Sequence, residues 1–288
     1  MGWFWGPSAV EIRDFLAAQE PVVLMGRGHS GTRVLAYAVQ ALGVNLGFTE
    51  RMASGDPEDK RFRRGMAKLA RRWDVGDTPP ERDLRKFRKL VYQWYQRIRP
   101  AGPWGWKYPE TYLMAPHVHA TFPRARYLHI VRDGRDLAFK RHRTNDPTTQ
   151  LGRMVLSKIG AVDEPGYIRG AVSWAYQVDL YADFAARALP PDRTLDLTFE
   201  ELCADPVGVT RRVAAFLSLP VPDSAVQFLS GFTNPDKIAD HRVRLPERIQ
   251  AVEARIGPTL RRFGYLPADS SGAGDAAHAA EQVRRPLA

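Results

Sequence analysis

Residues 21–43, PVVLMGRGHSGTRVLAYAVQALG, constrain the fold more than any other part of the chain. Pro-Val-Val-Leu-Met is a continuous apolar run, the pattern of a strand covered on both faces, as in a parallel sheet. From Thr32 onward Val34, Leu35, Ala38, Val39 and Leu42 recur at helical spacing. Between the two lies GRGHSGTR, a glycine-rich link from strand to helix. Such a link points the backbone N–H groups of Gly28 through Thr32, and the positive end of the helix dipole, at one tetrahedral anion.

An ATP-type loop reads G-x-x-x-x-G-K-[ST]; aligning Gly26 and Gly31 puts Thr32 where the lysine belongs. An acidic Mg²⁺ ligand at the end of an apolar strand is also not evident. The loop suits a phosphate-like group and its neighbour without that lysine and metal, with Arg27 and Arg33 flanking it.

The charge balance points to the same kind of ligand. Lys and Arg number 42 against 32 Asp and Glu, for a formal net charge of +10. A surface of this sign attracts nucleotides, sulfated or phosphorylated substrates, membrane headgroups or nucleic acid. Cys203 is the only cysteine, so a disulfide framework and a cysteine-based metal site are excluded and a reducing compartment fits. No apolar run approaches a membrane span, and MGWFWGPSAVEIRDFLAAQE lacks the basic-then-apolar order of an export signal. The expectation is a cytoplasmic protein whose Trp3, Phe4 and Trp5 cap a groove.

Short apolar strands alternate with helices along the chain, which predicts an α/β fold: a central parallel sheet flanked by helices. A helix is expected around Ser8 to Gln19. GPWGWKYPE reads as a strand ending at Lys107, with Trp104 and Trp106 packed in the core. ARYLHIVRDGRD reads as a strand from about Tyr127 to Val131 running into a turn, and RTLDLTFEEL as a strand followed by a capped helix. The stretch from Asp56 to Pro100 is dense in arginine and lysine. It reads as two helices separated by DVGDTPPERD, with Leu90, Val91, Trp94 and Ile98 on the second helix's inner face: a helical basic insertion or lid, about residues 55–102, over a substrate entrance. One α/β domain over residues 1–268 accommodates these elements, and the small polar residues 269–288 read as a flexible tail.

A second constellation is YLHIVRDGRDLAFKRH. Arg132 directly ends an apolar strand, the place where open α/β sheets bind ligands. Arg135, Lys140, Arg141 and Arg143 follow on an expected helix, where most charge runs are solvated faces.

Taken together, these residues resemble the sulfotransferase family that uses 3′-phosphoadenosine 5′-phosphosulfate (PAPS). The loop looks like that family's 5′-phosphosulfate loop. WKYPETYLMAPHVHATFPRARYLHIVRDGRD is similar to its lysine strand, proline segment and 3′-phosphate motif. LTFEELCADPVGVTRRVAAFLSLP and RLPERIQAVEARIGPTLRRFGY match its later elements in order.

The resemblance implies a P-loop-like sulfotransferase fold. It further implies PAPS as co-substrate, 3′-phosphoadenosine 5′-phosphate (PAP) as product, and no metal. Donor contacts are expected from Arg27, Gly28, His29, Ser30, Gly31, Thr32 and Arg33 at the phosphosulfate. At the 3′-phosphate they are expected from Arg132, Lys140, Arg242 and Arg244. His29 stands where the family usually has a lysine or arginine, Lys140 where it has a serine, and Gly134 where it has a proline. Lys107 is similar to the lysine that approaches the transferring sulfuryl group. Glu50 sits at about the spacing where Golgi-type and protein-tyrosine sulfotransferases carry their catalytic glutamate. Cytosolic members use a histidine two residues after the strand lysine, and here Pro109 stands there. His29 and Glu110 are the alternatives for the base.

The expected reaction is in-line sulfuryl transfer to a hydroxyl, or an amine, of an acceptor such as a carbohydrate, lipid, phenol or small natural product. Two other readings compete: a P-loop nucleotide kinase or hydrolase, opposed by the missing lysine, and a non-enzymatic polyanion binder, suggested by the basic insertion. Nucleic acid is not an expected partner. His117, His119 and His129 lack a ligand arrangement with carboxylates, so no metal site is expected.

Overall fold

The computed structural model describes residues 6–47, 59–72, 74, 76–223 and 235–268. Trp3, Phe4, Trp5, Glu50 and the tail 269–288 lie outside the described residues. The chain divides into two compact units, residues 1–131 with 180–235, and residues 132–179 with 236–288.

The first unit is built on four parallel strands in the order β2-β1-β3-β4: β1 Val22–Met25, β2 Gly105–Lys107, β3 Arg126–Val131 and β4 Thr194–Thr198. β1 is central and every residue in it is buried, as the unbroken apolar run requires of a strand covered on both faces. The first helix, α1, covers Ala9–Ala17, and one face of the sheet packs against α2 (Thr32–Ala41) and the helices Phe199–Ala204 and Pro206–Leu217. There Val22, Leu24, Leu35, Val39, Leu128, Ile130, Leu197 and Val213 form the core. Each such side chain contributes roughly 1.5–3 kcal/mol by leaving water. Thr198 and Glu201 form the capping box that starts the helix after β4. Asp205 and Pro206 then open the next helix.

Aromatic side chains fill a second cluster beside β2. Trp94 stacks on Phe62 at 4.7 Å, Trp106 tilts on Phe122 at 5.8 Å, and Trp94 Nε1 donates to the Gly105 carbonyl at 3.0 Å. Phe62 and Trp94 come from α3 (Lys60–Ala70) and α4 (Glu81–Ile98), the two helices of the basic segment. Their apolar stripes are buried, while Arg61, Arg63, Arg64, Lys68, Arg85, Lys86 and Lys89 lie on the exposed faces. These charges are solvated faces of structural helices, and Trp104 and Trp106 are core residues, 4% and 1% exposed.

The second unit holds the helices Gly134–Ala138, Gln150–Lys158 and Pro246–Arg262, and the first part of Gly166–Ala188. Short 3₁₀ turns cover Pro235–Lys237 and Asp240–Val243. A Cβ at Gly134 would sit 2.4 Å from the Trp174 ring, so indole packing accounts for glycine at that position. The helix expected to carry Arg135 through Arg143 stops at Ala138. Asn145 ends it: its Nδ2 donates to the Lys140 carbonyl at 3.0 Å and its Oδ1 accepts from the His142 N–H at 2.8 Å. These side-chain bonds replace the next helical turn, and Lys140, Arg141 and Arg143 are loop residues.

Candidate active site

The loop leaves the carboxyl end of β1 beside the chain leaving β2. The Gly26 N–H donates to the Pro109 carbonyl at 3.2 Å and the Tyr108 N–H to the Leu24 carbonyl at 3.2 Å. Gly26 must pass close to β3, since a Cβ there would lie 2.3 Å from the Ile130 carbonyl oxygen. Gly31, the N-cap of α2, has φ +88° and would place a Cβ 2.7 Å from the Phe199 ring. Only glycine meets both demands at low cost. No side chain caps α2, so its amino end keeps its positive character for an anion.

Arg27 and Ser30 distinguish this loop from a plain turn. Both are fully buried. Arg27 Nη1 donates to the Gly28 carbonyl at 3.0 Å, whereas Arg27 Nε and Nη2 and Ser30 Oγ have no partner among the described residues. Burial pulls the Arg27 pKa down to about 10, opposed by Tyr112 and Glu110, so the guanidinium remains charged at neutral pH. Buried donors left unpaired cost on the order of 1–3 kcal/mol each, more for charged groups, and an oxyanion at the loop would satisfy them. The residues present thus fit a phosphosulfate. The convergence of N–H groups is less complete than the spacing suggests, because the Ser30 N–H is turned back onto the Arg27 carbonyl at 3.0 Å. His29 is exposed, with φ +74°, a left-handed conformation unusual for a side-chain-bearing residue. Thr32 opens α2 and is buried; Arg33 is exposed.

Lys107 ends β2, paired in register with Leu24, and is 3% exposed. Glu110, in the 3₁₀ turn Pro109–Met114, is fully buried. The structure therefore brings the turn after β2 to the loop. It also raises Glu110 in importance, since its carboxylate faces Arg27 electrostatically. Glu50 is outside the described residues.

In the second unit Arg132, 5% exposed, is held by a buried carboxylate. Its Nε and Nη2 donate to Asp136 Oδ2 at 3.2 and 2.9 Å, and Nη2 also donates to the Lys237 carbonyl at 2.5 Å. Asp136 Oδ1 accepts from the His241 N–H at 2.8 Å and lies 2.7 Å from His241 Nδ1. Burial alone would raise the Asp136 pKa; hydrogen bonds from His241 and Arg132 overcome it and hold it at about 2. Lys140 Nζ pairs with Asp240 Oδ2 at 2.5 Å. Arg242 and Arg244 are exposed, and the Arg244 guanidinium lies over the Phe139 ring at 5.3 Å.

Sequence reasoning missed Asp136, Asp240 and His241. Asp136 had a signal in its four-residue offset from Arg132, whereas the other two lie about a hundred residues further along and carry none. Among the described residues no cluster of three His, Cys, Asp or Glu could hold a metal ion, and no helix is long and apolar enough to cross a membrane.

A parallel α/β sheet with a glycine-rich anion loop after its central strand defines a P-loop-like protein. Its family is shown by comparison: the Sulfotransferase family model matches residues 21–223, more than half of the chain, and the chain belongs to that family. A curated relative, protein-tyrosine sulfotransferase A of Caenorhabditis elegans, is 24% identical over 180 residues. That match covers 56% of this chain and 44% of the relative, so the chain spans less than half of that protein's length. Among solved structures, the sulfotransferase domain of the curacin biosynthetic pathway is similar at 15% identity and a TM-score of 0.49, covering 83% of this chain and 98% of that one. Sulfotransferase STF1 of Mycobacterium tuberculosis is similar at 13% identity and a TM-score of 0.49, covering 85% and 78%.

Proposed function

We propose that this protein moves the sulfuryl group of PAPS to a hydroxyl, or an amine, of an acceptor by in-line displacement without a metal. The observation that carries the proposal is the loop itself: two fully buried residues, Arg27 and Ser30, hold unpaired polar atoms beside an uncapped helix end. The Walker lysine is absent from it, which disfavours a nucleoside triphosphate.

In this reading Gly28, His29, Ser30, Gly31 and Thr32, with Arg27 and Arg33, hold the phosphosulfate. Arg132, Lys140 and Arg242 are assigned to the 3′-phosphate, Lys140 exchanging Asp240 for it. Arg244, seated on Phe139, is assigned to the same phosphate. As the acceptor oxygen bonds to sulfur, the bond from sulfur to the bridging phosphate oxygen breaks. Lys107 neutralises the charge growing on that oxygen. Glu50 takes the acceptor proton, with His29 second in line and Glu110 third. PAP leaves as product.

The acceptor is drawn from carbohydrates, lipids, phenols and small natural products; the tyrosine in the name of the nematode relative adds weight to a phenol. The lone cysteine, Cys203, supports a reducing, cytoplasmic location in this reading. The test is PAP release from PAPS across a panel of phenolic, sugar and alkyl hydroxyl acceptors. Acceptor-dependent release supports the proposal, and a panel with no turnover by a protein that binds PAPS redirects the search to amines.

A further inference from the structure

In the first unit, α3 and α4 enclose a groove of about 450 Å³ that is lined by none of the rings of the aromatic cluster. The two helices run antiparallel. Gly65 lies against Leu90, and the pair is tied on either side of that contact by Arg72 to Asp83 at 2.7 Å and Arg97 to Asp59 at 3.0 Å. From α3 and the turn after it the groove takes Gly65, Lys68, Leu69 and Arg72; from α4 it takes Lys86, Lys89, Leu90 and Gln93. Each set has the spacing i, i+3, i+4, i+7, a single stripe about two turns, or roughly 10 Å, long. A Cβ at Gly65 would lie 2.5 Å from Leu90 Cδ1, so glycine there leaves room for the leucine, which joins Leu69 in an apolar floor.

Both rims of this floor are cationic. Lys68, Lys86 and Lys89 are exposed and make no ion pair among the described residues. Arg72 is held by Asp83, and among the described residues no acid lines the groove. Lys86 and Lys89 are neighbours on one helix face, where like charges repel. An apolar floor between two rows of cations is complementary to a helix whose apolar stripe is flanked by carboxylates. A bilayer surface fits less well. Among the described residues the large apolar side chains exposed to solvent are Val10, Met154, Val243 and Leu245, none of them on α3 or α4, so this face projects no anchor. Duplex nucleic acid would engage the cations through its phosphates and leave the apolar floor without a role.

We infer that the groove between α3 and α4 docks an acidic amphipathic helix of a partner protein, its apolar stripe against Leu69 and Leu90 and its carboxylates on Lys68, Lys86 and Lys89. Docking there needs no step of sulfuryl transfer and none of the donor contacts.

The experiment is a fluorescence-anisotropy titration of the full chain with a stapled synthetic helix carrying leucine on one stripe and glutamate on either side of it. A scrambled peptide of the same composition and a version with lysine for every glutamate are run alongside, and PAP at saturation occupies the donor loop. The ordered acidic helix is expected to bind at least roughly tenfold more tightly than either control. Lys68→Glu/Lys86→Glu/Lys89→Glu, which alters exposed side chains only, is expected to weaken that binding at least roughly tenfold, and Lys86→Gln and Lys89→Gln each severalfold with an unchanged melting temperature. Three results would overturn the inference: equal affinity for the ordered and scrambled peptides, undiminished binding of the ordered helix in the glutamine variants, or binding of phosphatidylserine vesicles or duplex DNA without binding of the ordered helix.

Discussion

Asp136 Oδ2 accepts hydrogen bonds from both Nε and Nη2 of Arg132, at 3.2 and 2.9 Å, while its other oxygen is taken by His241. The arginine that ends the third strand is thus aimed by a carboxylate that is itself fully occupied.

Breaking this arrangement has a signed consequence with pH. The Asp136 pKa is depressed from 3.8 to about 2, so its stabilisation is present above pH 3.8 and lost as the pH falls toward 2. The shift corresponds to about 2 kcal/mol. Removing one partner of a buried pair also leaves the other uncompensated, which raises the loss at neutral pH to roughly 3–5 kcal/mol. Chemical denaturation of Asp136→Asn is expected to show that loss at pH 6 and a shrinking difference from the parent below pH 3.8. A difference independent of pH would mean that the carboxylate charge is not what holds Arg132.

Lys107 and Glu50 are expected to act on the reaction and not on donor affinity. Lys107→Ala and Glu50→Gln should each lower turnover at least roughly a hundredfold, the range of a lost charge-stabilising group or general base, while PAP affinity changes severalfold at most. Single-turnover kinetics with PAPS would check this. Near-normal turnover in Glu50→Gln would move the base to His29 or Glu110.

Buried His117 gives a second pH prediction. Neither ring nitrogen has a partner among the described residues. Burial lowers its pKa to about 4, opposed by Asp83. The unfolded chain therefore takes up the proton first, and stability falls as the pH drops from about 6.5 to about 4, by roughly 3 kcal/mol in total. His117→Leu is expected to flatten the melting temperature across that range. An equally steep fall in the variant would assign the acid sensitivity to other groups.

At the loop, Gly31→Ala is expected to cost about 1–3 kcal/mol in stability, since alanine there must adopt φ +88° and displace the Phe199 ring. Donor binding should fall with it, because the same residue caps α2. A thermal melt and a PAP titration on one sample check both effects. A variant with parental values in both would show that the loop tolerates a side chain at its tightest point.

Much of this architecture was legible locally. The apolar run Val22–Met25, the glycine loop and the helical spacing after Thr32 specify strand, turn and helix from neighbouring residues alone, and β2 ends at Lys107 as the pattern implied. The exposed charges of residues 60–89 were likewise readable as solvated faces. What local pattern did not reveal depended on distant partners. Nothing near Arg27 says that its guanidinium is fully buried; that follows from the turn after β2. Nothing in the sequence around Arg132 points to His241, and the helix after it is cut short at Ala138 because the Asn145 side chain captures its next backbone groups. Glu50 was placed by spacing alone.

The central claim is that the loop and the strand-end arginine serve a donor with phosphate on both the 5′ and 3′ positions. Calorimetric titration of the purified protein with PAP, with AMP and with ATP plus Mg²⁺, repeated on Arg132→Ala, tests it most directly. The account predicts tight PAP binding, weakened roughly a hundredfold when the 3′-phosphate is absent, as the loss of charge-assisted contacts implies, and a comparable weakening of PAP in Arg132→Ala. Preference for ATP with Mg²⁺, no nucleotide binding, or PAP affinity unchanged by the variant would contradict it.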